Sequence, residues 1–246
     1  MEDPNRRLLL EAARRLQPLL DRLTFVGGCA TGLFITDTGA GGVRPTRDVD
    51  TISPVAGYAE YVELGERLRS LGFTEDRTDG VLCRWRAGDF ILDVMPTDEA
   101  VLGFSNRWYA GAIANARTVV LDATSIRVIS APYFLATKVE AFHGRGNRDF
   151  AASHDLEDMV AVVDGRLELL DEVVAADAAL RRYLAREFRR LLRRDSSWMR
   201  CPAFCCRTAP IRRGCQTCWR DFARSGRSTS ASEGARRVGR RRLPAE

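Results

Sequence analysis

Apolar and polar residues follow two different periods along the first 199 positions. Between residues 5 and 23, leucine and alanine recur at steps of three and four, which predicts an amphipathic helix. Further helices are predicted at residues 29–36, 58–71, 132–143, 153–163, 167–175 and 178–194. Short apolar or alternating runs predict strands at residues 24–26, 47–52, 81–86, 90–95, 118–121 and 126–129, with a hairpin turn at 87–89.

The order of these elements predicts the fold class. Strands and helices alternate first, and the chain is helical from residue 132 onward, which favours an α/β (α+β) fold. We expect a small mixed β-sheet flanked by helices, followed by a helical C-terminal portion and a disordered tail. The predicted division is a sheet domain over residues 1–130, a helical portion over 131–199 that completes the active site, and a tail over 200–246.

The tail differs from the rest of the chain in composition. Residues 200–246 contain twelve arginines, no lysine and three acidic residues, so the formal net charge of +5 belongs to this tail and the body is net negative. Without apolar periodicity the tail cannot offset its ordering entropy, and disorder is predicted. A shifted reading frame near codon 200 is an alternative explanation. A second alternative is a zinc site of Cys201, Cys205, Cys215 and Cys218 in a nucleic-acid-binding tail.

Composition and hydropathy indicate the cellular compartment in which the protein is expected. The chain has 45% hydrophobic and 29% charged residues, as soluble globular proteins do. Its apolar stretches end well before the roughly 20 residues that cross a bilayer. The N-terminus lacks the basic and then apolar order of a secretory signal. We therefore expect a cytoplasmic protein without a membrane partner.

Two aspartates two positions apart are the first candidates for metal binding. In a strand, Asp48 and Asp50 project to the same face while Val49 points into the core. Neighbouring carboxylates suit Mg²⁺ or Mn²⁺ and leave coordination positions for phosphate oxygens. A solvated strand edge is the alternative.

A glycine pair precedes these aspartates. Gly27 and Gly28 stand between a predicted strand and a predicted helix, where backbone N–H groups can face an anion with no side chain in the way. An ordinary strand-to-helix turn is the alternative for the glycines alone. The order strand, glycine pair, helix, loop and Asp48-x-Asp50 favours a functional site.

Four further residues are candidates for the same site. Asp93 lies in an apolar strand, where a carboxylate is costly to bury unless it is paired or binds metal. It is predicted to be a third metal ligand or a base, with a solvated strand edge as the alternative. Lys138 is the only lysine, which favours a specific role for its compact charge, such as contact with a triphosphate. Asp155 and Asp158 share a helix face, within a polar cluster that capping and ion pairs also explain. The other members of that cluster are Arg145, Arg148, Asp149 and His154.

Several segments occur in a characteristic order: FVGGCA at 25–30, RPTRDVD at 44–50, ISAPYFLATKVEAF at 129–142, RGNRD at 145–149 and HDLED at 154–158. Over residues 20–163 the chain thereby resembles the AbiEii/AbiGii-type branch of the DNA polymerase β-like nucleotidyltransferase superfamily. The sequence departs from that pattern at two points. Nineteen residues separate Gly28 from Asp48, a longer gap than is usual, and Cys29 replaces a small hydroxyl residue.

The resemblance implies a nucleotidyltransferase fold and a Mg²⁺-dependent (or Mn²⁺-dependent) transferase that uses an NTP as substrate. It places Asp48 and Asp50 on the metal, Lys138 on the triphosphate and an acid of residues 155–158 near the site. Arg47 joins Gly27 and Gly28 as a candidate for nucleotide binding. Some relatives are toxins of toxin–antitoxin systems that modify RNA, and others modify proteins or antibiotics. RNA or a small molecule such as an aminoglycoside is therefore the expected acceptor, and an antitoxin is a candidate partner.

Overall fold

The computed structural model describes residues 3–78, 80–144 and 153–193, with side chains as far as residue 191. Several predictions fall outside these residues and remain predictions. They are the disorder of residues 200–246, the zinc site in that tail, and the places of Arg145, Arg148 and Asp149 in the polar cluster.

The described part of the chain forms one mixed sheet of seven strands. They are β1 (Thr24–Val26), β2 (Asp48–Ser53), β3 (Thr74–Glu75), β4 (Arg84–Ala87), β5 (Phe90–Pro96), β6 (Arg117–Leu121) and β7 (Thr124–Val128). The spatial order is β3-β4-β5-β2-β1-β7-β6. β1 pairs with β7 and β2 pairs with β5 in parallel, and the other neighbours are antiparallel. The predicted mixed sheet is confirmed, and β3 is an addition to it.

Helices flank the sheet and follow it, as predicted. They are α1 (Arg6–Arg15), α2 (Tyr58–Ser70), α3 (Glu99–Leu102), α4 (Tyr109–Ala114), α5 (Ala131–Gly144), α6 (His154–Gly165), α7 (Leu169–Ala175) and α8 (Ala178–Arg193). The first helix is shorter than the predicted 5–23, because Pro18 lacks an N–H donor and lies in a 3₁₀ turn, Gln17–Leu19. The predicted helix at 29–36 is a 3₁₀ helix, Gly28–Phe34. No helix in the described part is long and apolar enough to span a membrane.

The packing of α5 brings the helical portion next to the C-terminal end of the inner strand β1. Its residues are buried almost all round, and it packs against α4, α6, α7 and α8. The ring of Phe134 in α5 lies 4.7 Å, between centroids, from that of Phe34 at the end of the 3₁₀ helix. Both rings are fully buried, and each contributes about 1.5–3 kcal/mol to folding. This contact holds the end of the 3₁₀ helix against α5, and the same 3₁₀ helix also packs against α6.

Candidate active site

Three carboxylates lie together on the two adjacent strands β2 and β5. Asp50 and Asp93 are register partners in the parallel strand pair. Asp48 precedes Asp50 by two residues, so its side chain lies on the same face of β2. One oxygen from each of Asp48, Asp50 and Asp93 lies within 4.8 Å of the others. Val49, between the two β2 aspartates, is fully buried, as the alternation of a strand requires. Three anionic oxygens at this spacing fit a hard divalent cation.

The first glycine of the turn is held against this carboxylate cluster. β1 pairs with β2 so that Val26 lies opposite Asp50, and the chain turns at Gly27 with φ of 70°. A Cβ atom at Gly27 would lie 1.9 Å from Oδ2 of Asp50, which is far inside van der Waals contact. Glycine is therefore required here both for the backbone conformation and for the approach of the carboxylate.

The second glycine of the turn lies beside a guanidinium group. A Cβ atom at Gly28 would be 2.8 Å from Nη2 of Arg44 and 3.3 Å from Oδ2 of Asp158. Nη2 of Arg44 donates to that same Asp158 oxygen at 3.3 Å, and its Nη1 donates to the carbonyl of Pro45 at 3.3 Å. The side chain of Arg44 keeps 19% of its surface exposed. Arg44 thus brings a positive charge to the glycine turn while an acid of α6 holds it.

Lys138 lies buried between two acids of the neighbouring helix. Its Nζ donates to Oδ2 of Asp158 at 2.7 Å and to Oδ1 of Asp155 at 3.1 Å. Burial alone would lower the pKa of Lys138, but the charges of Asp158, Asp155 and Asp50 outweigh it and raise that pKa above its ordinary value. The ammonium group therefore stays charged. The charge of Asp50 contributes to this raised pKa, so the carboxylate cluster is coupled electrostatically to Lys138.

Arg84 is a member of the site that the sequence interpretation did not include. Its Nε and Nη2 donate to the two oxygens of Asp93 at 2.8 Å and 2.7 Å, and Nη2 also lies 3.4 Å from Oδ2 of Asp48. The sequence did contain a signal for this pair. That signal is the Gly88-Asp89 dipeptide, because a two-residue turn there pairs Ala87 with Phe90 and therefore Arg84 with Asp93. The turn predicted at residues 87–89 would instead pair Arg86 with Phe90, so the predicted register was one residue off.

The structure brings together eight of the nine predicted site residues, whose roles stay predictions. They are Gly27, Gly28, Asp48, Asp50, Asp93, Lys138, Asp155 and Asp158. The ninth, Arg47, has an exposed side chain. Ser153 caps α6, since its hydroxyl accepts from the backbone N–H of Leu156 at 3.3 Å. His154 is exposed and lies 3.7 Å from Oε2 of Glu157, which agrees with the capping and ion-pair interpretation for that residue.

Among the solved structures to which the chain is similar, the following three have sequence identities below 20%. An antigenic nucleotidyltransferase-like protein from Paracoccidioides brasiliensis is 19% identical over 78% of this chain and 90% of its own, with a TM-score of 0.47. ANT(2")-Ia in complex with adenylyl-2"-tobramycin is 17% identical over 63% and 87%, with a TM-score of 0.40. JHP933 from Helicobacter pylori is 13% identical over 92% and 94%, with a TM-score of 0.46.

No protein-family model matches the chain, and no curated protein is similar to it by sequence. All three TM-scores are below 0.5.

Proposed function

We propose that the chain is a metal-dependent nucleotidyltransferase that moves a nucleoside monophosphate from an NTP to a hydroxyl acceptor. The observation that carries the proposal is the carboxylate cluster of Asp48, Asp50 and Asp93 beside the turn at Gly27. Three carboxylates and the guanidinium of Arg84 together carry a net charge of −2. A single divalent cation balances that charge, and oxygen donors are the ligands that Mg²⁺ and Mn²⁺ prefer.

Different residues of the site would bind the cation and the nucleotide. Asp48, Asp50 and Asp93 would hold the divalent cation. When bound, the cation supplies charge neutralisation to the phosphate oxygens and orients the in-line displacement. In the reaction the acceptor oxygen forms a bond to the α-phosphorus, the bond to the bridging oxygen breaks, and pyrophosphate leaves. The hydroxyl proton passes to a base, a role that Asp93 would take in place of metal binding, with Asp48 and Asp50 then holding the cation.

A second group of residues supports the triphosphate. Arg44 lies over Gly28, and a guanidinium group presents several planar donors that match phosphate oxygens. Lys138 is enclosed by Asp155 and Asp158, so we assign it a supporting role through the acid that also holds Arg44. The ion pair with Asp158 holds Arg44 in place. The two positive charges of Arg44 and Lys138 equal the two negative charges of Asp155 and Asp158, so these four side chains carry no net negative charge that would repel a phosphate.

The acceptor is proposed from the resemblance alone. RNA and a small molecule such as an aminoglycoside are the two classes to test, and a toxin role with an antitoxin partner would follow only from the first. Both acceptors offer hydroxyl groups, so the same carboxylate cluster would serve either one. The decisive comparison is therefore between acceptors in one assay.

The experiment incubates the full chain with each α-³²P-labelled NTP, Mg²⁺ or Mn²⁺, and either total RNA or a panel of aminoglycosides. The variant Asp48→Ala/Asp50→Ala should lower the rate of labelling about a hundredfold or more, which is about 2.7 kcal/mol of transition-state stabilisation. The matched control is Asp21→Ala/Asp89→Ala, which removes two exposed carboxylates and the same charge. Labelling by the site variant at the wild-type rate would refute the proposal.

A further inference from the structure

Arg84 contacts Asp93 more closely than it contacts Asp48. It binds Asp93 through two hydrogen bonds of 2.7 Å and 2.8 Å, which is the bidentate geometry that gives a strong, fixed ion pair. Its contact with Asp48 is a single one of 3.4 Å, longer than an ordinary hydrogen bond. The side chain of Arg84 is 15% exposed and that of Asp93 is 8% exposed, so water screens their pair only weakly.

The guanidinium group of Arg84 adds a positive charge among the carboxylates of the cluster. Asp93 faces Asp50 across the parallel strand pair, so their two negative charges repel each other. A guanidinium at this place offsets part of that repulsion before any ion arrives. The same positive charge also lies next to the position that a divalent cation would take, and it repels such an ion.

We propose that Arg84 is a positioning residue that acts as an internal counter-cation for the metal site. It keeps Asp93 in place through the bidentate pair, and its longer contact with Asp48 is given up when a divalent cation binds. The proposal rests on the proposed function in one respect, since it takes Asp48, Asp50 and Asp93 as the ligands. Its consequence is that wild-type affinity for a free divalent cation is lower than three carboxylates alone would give.

The test measures binding of Mn²⁺ alone to the full chain, with free Mn²⁺ followed by electron paramagnetic resonance. Arg84→Met keeps much of the side-chain length but removes the charge, and its Kd for Mn²⁺ should fall by about tenfold or more. Arg84→Lys keeps the charge and should bind Mn²⁺ within about threefold of wild type. The matched control is Arg86→Met on the same strand, which removes an arginine paired with Asp76 and should leave the Kd unchanged.

Thermal unfolding of the same proteins provides a second readout. Without metal, Arg84→Met should have a lower Tm than wild type, because three carboxylates then repel one another. Mn²⁺ should raise its Tm by more than it raises that of wild type, because the tighter complex stabilises the folded state further. If Arg84→Met does not fold, Arg84→Gln takes its place with the same expected tightening, since its amide still donates to Asp93.

The outcomes separate this proposal from the proposed function. Equal or weaker Mn²⁺ binding by the neutral Arg84 variant, with wild-type binding intact, would overturn the role of Arg84 and leave the metal site standing. Mn²⁺ binding that persists in Asp48→Asn/Asp50→Asn would place the ion elsewhere. A wild-type chain that binds no Mn²⁺ at millimolar concentration, with Arg84→Met equally inactive in binding, would overturn both proposals.

Discussion

Gly27 and Asp50 lie so close together that a methyl group on the glycine would come within 1.9 Å of the Oδ2 atom of the aspartate. Two strands that pair antiparallel, β1 and β2, impose this approach through the register of Val26 with Asp50. The turn and the carboxylate cluster are therefore one structural unit, and a change in the turn should alter the carboxylates.

Gly27→Ala tests that coupling. The alanine would be strained by its φ of 70° and would also displace the side chain of Asp50. Gly72→Ala is the matched control, because Gly72 has φ of 85° and open space around its Cβ position. We expect Gly27→Ala to lower the free energy of unfolding by about 1–3 kcal/mol more than the control does, in urea titrations. Mn²⁺ binding should weaken in Gly27→Ala alone. Equal behaviour of the two variants in both measurements would contradict the coupling.

Lys138→Met tests the buried charge cluster. The side chains of Lys138, Asp155 and Asp158 are 9%, 5% and 2% exposed, so loss of the ammonium leaves buried carboxylates without its charge. We expect the free energy of unfolding to fall by about 3–5 kcal/mol. Adding Asp158→Asn should recover part of that loss, because one buried negative charge is then removed as well.

The control for Lys138→Met is an exposed ion pair. Arg67→Met removes a cation whose partner, Glu63, lies one helical turn away at the surface. Water screens that pair, so the expected loss is at most about 0.5 kcal/mol. If chemical denaturation gave similar losses for the two variants, Lys138 would not have the structural role assigned to it.

The sequence predicted those parts of the site that depend on local periodicity. The alternation around Val49 sufficed to place Asp48 and Asp50 on one face, and the glycine pair between a strand and a helix sufficed to mark the turn. These inferences needed only the geometry of a single strand or a single turn. They required no knowledge of which strands are neighbours.

Contacts between distant segments were not predictable in the same way. The place of Lys138 between Asp155 and Asp158 depends on how α5 packs against α6, and a single sequence carries no direct signal for that packing. The position of Arg44 over Gly28 likewise depends on a long loop that returns to the turn. Local structure was also missed where elements are short, as in β3, whose two residues are both exposed.

Asp177→Ala tests a cap outside the site. The carboxylate of Asp177 accepts from the backbone N–H groups of Ala179 and Leu180 at 3.0 Å and 2.9 Å, and from the hydroxyl of Tyr133 at 2.9 Å. Burial opposes its charge, but these hydrogen bonds outweigh burial and lower the pKa of Asp177 below 3.8. Replacement should cost about 1 kcal/mol of unfolding free energy at neutral pH.

The pH dependence of that cost follows from the direction of the shift. Because the folded-state pKa of Asp177 is the lower one, its contribution is present above pH 3.8 and is lost as the pH falls through the folded value. The difference between wild type and Asp177→Ala, from denaturant titrations, should therefore shrink as the pH falls below 3.8. Asp177→Asn, which keeps an acceptor, should lose less than alanine does. A difference that stayed constant in acid would contradict the assignment.

The buried thiols of Cys29 and Cys83 should be alkylated slowly in the folded chain. Burial, with the charges of Asp93 and Asp50, raises the pKa of Cys83 to about 12, and burial with Asp50 raises that of Cys29 further. Only the thiolate reacts, so at neutral pH the native chain presents about a thousandfold less thiolate at Cys83 than a thiol of pKa 9.0 does. Iodoacetamide labelling, followed by peptide mass spectrometry, should modify both cysteines at least about a hundredfold more slowly in the folded chain than in urea. Equal rates in the two conditions would show that the thiols are accessible and ionise normally, and would contradict the burial of Cys83 beside the carboxylates.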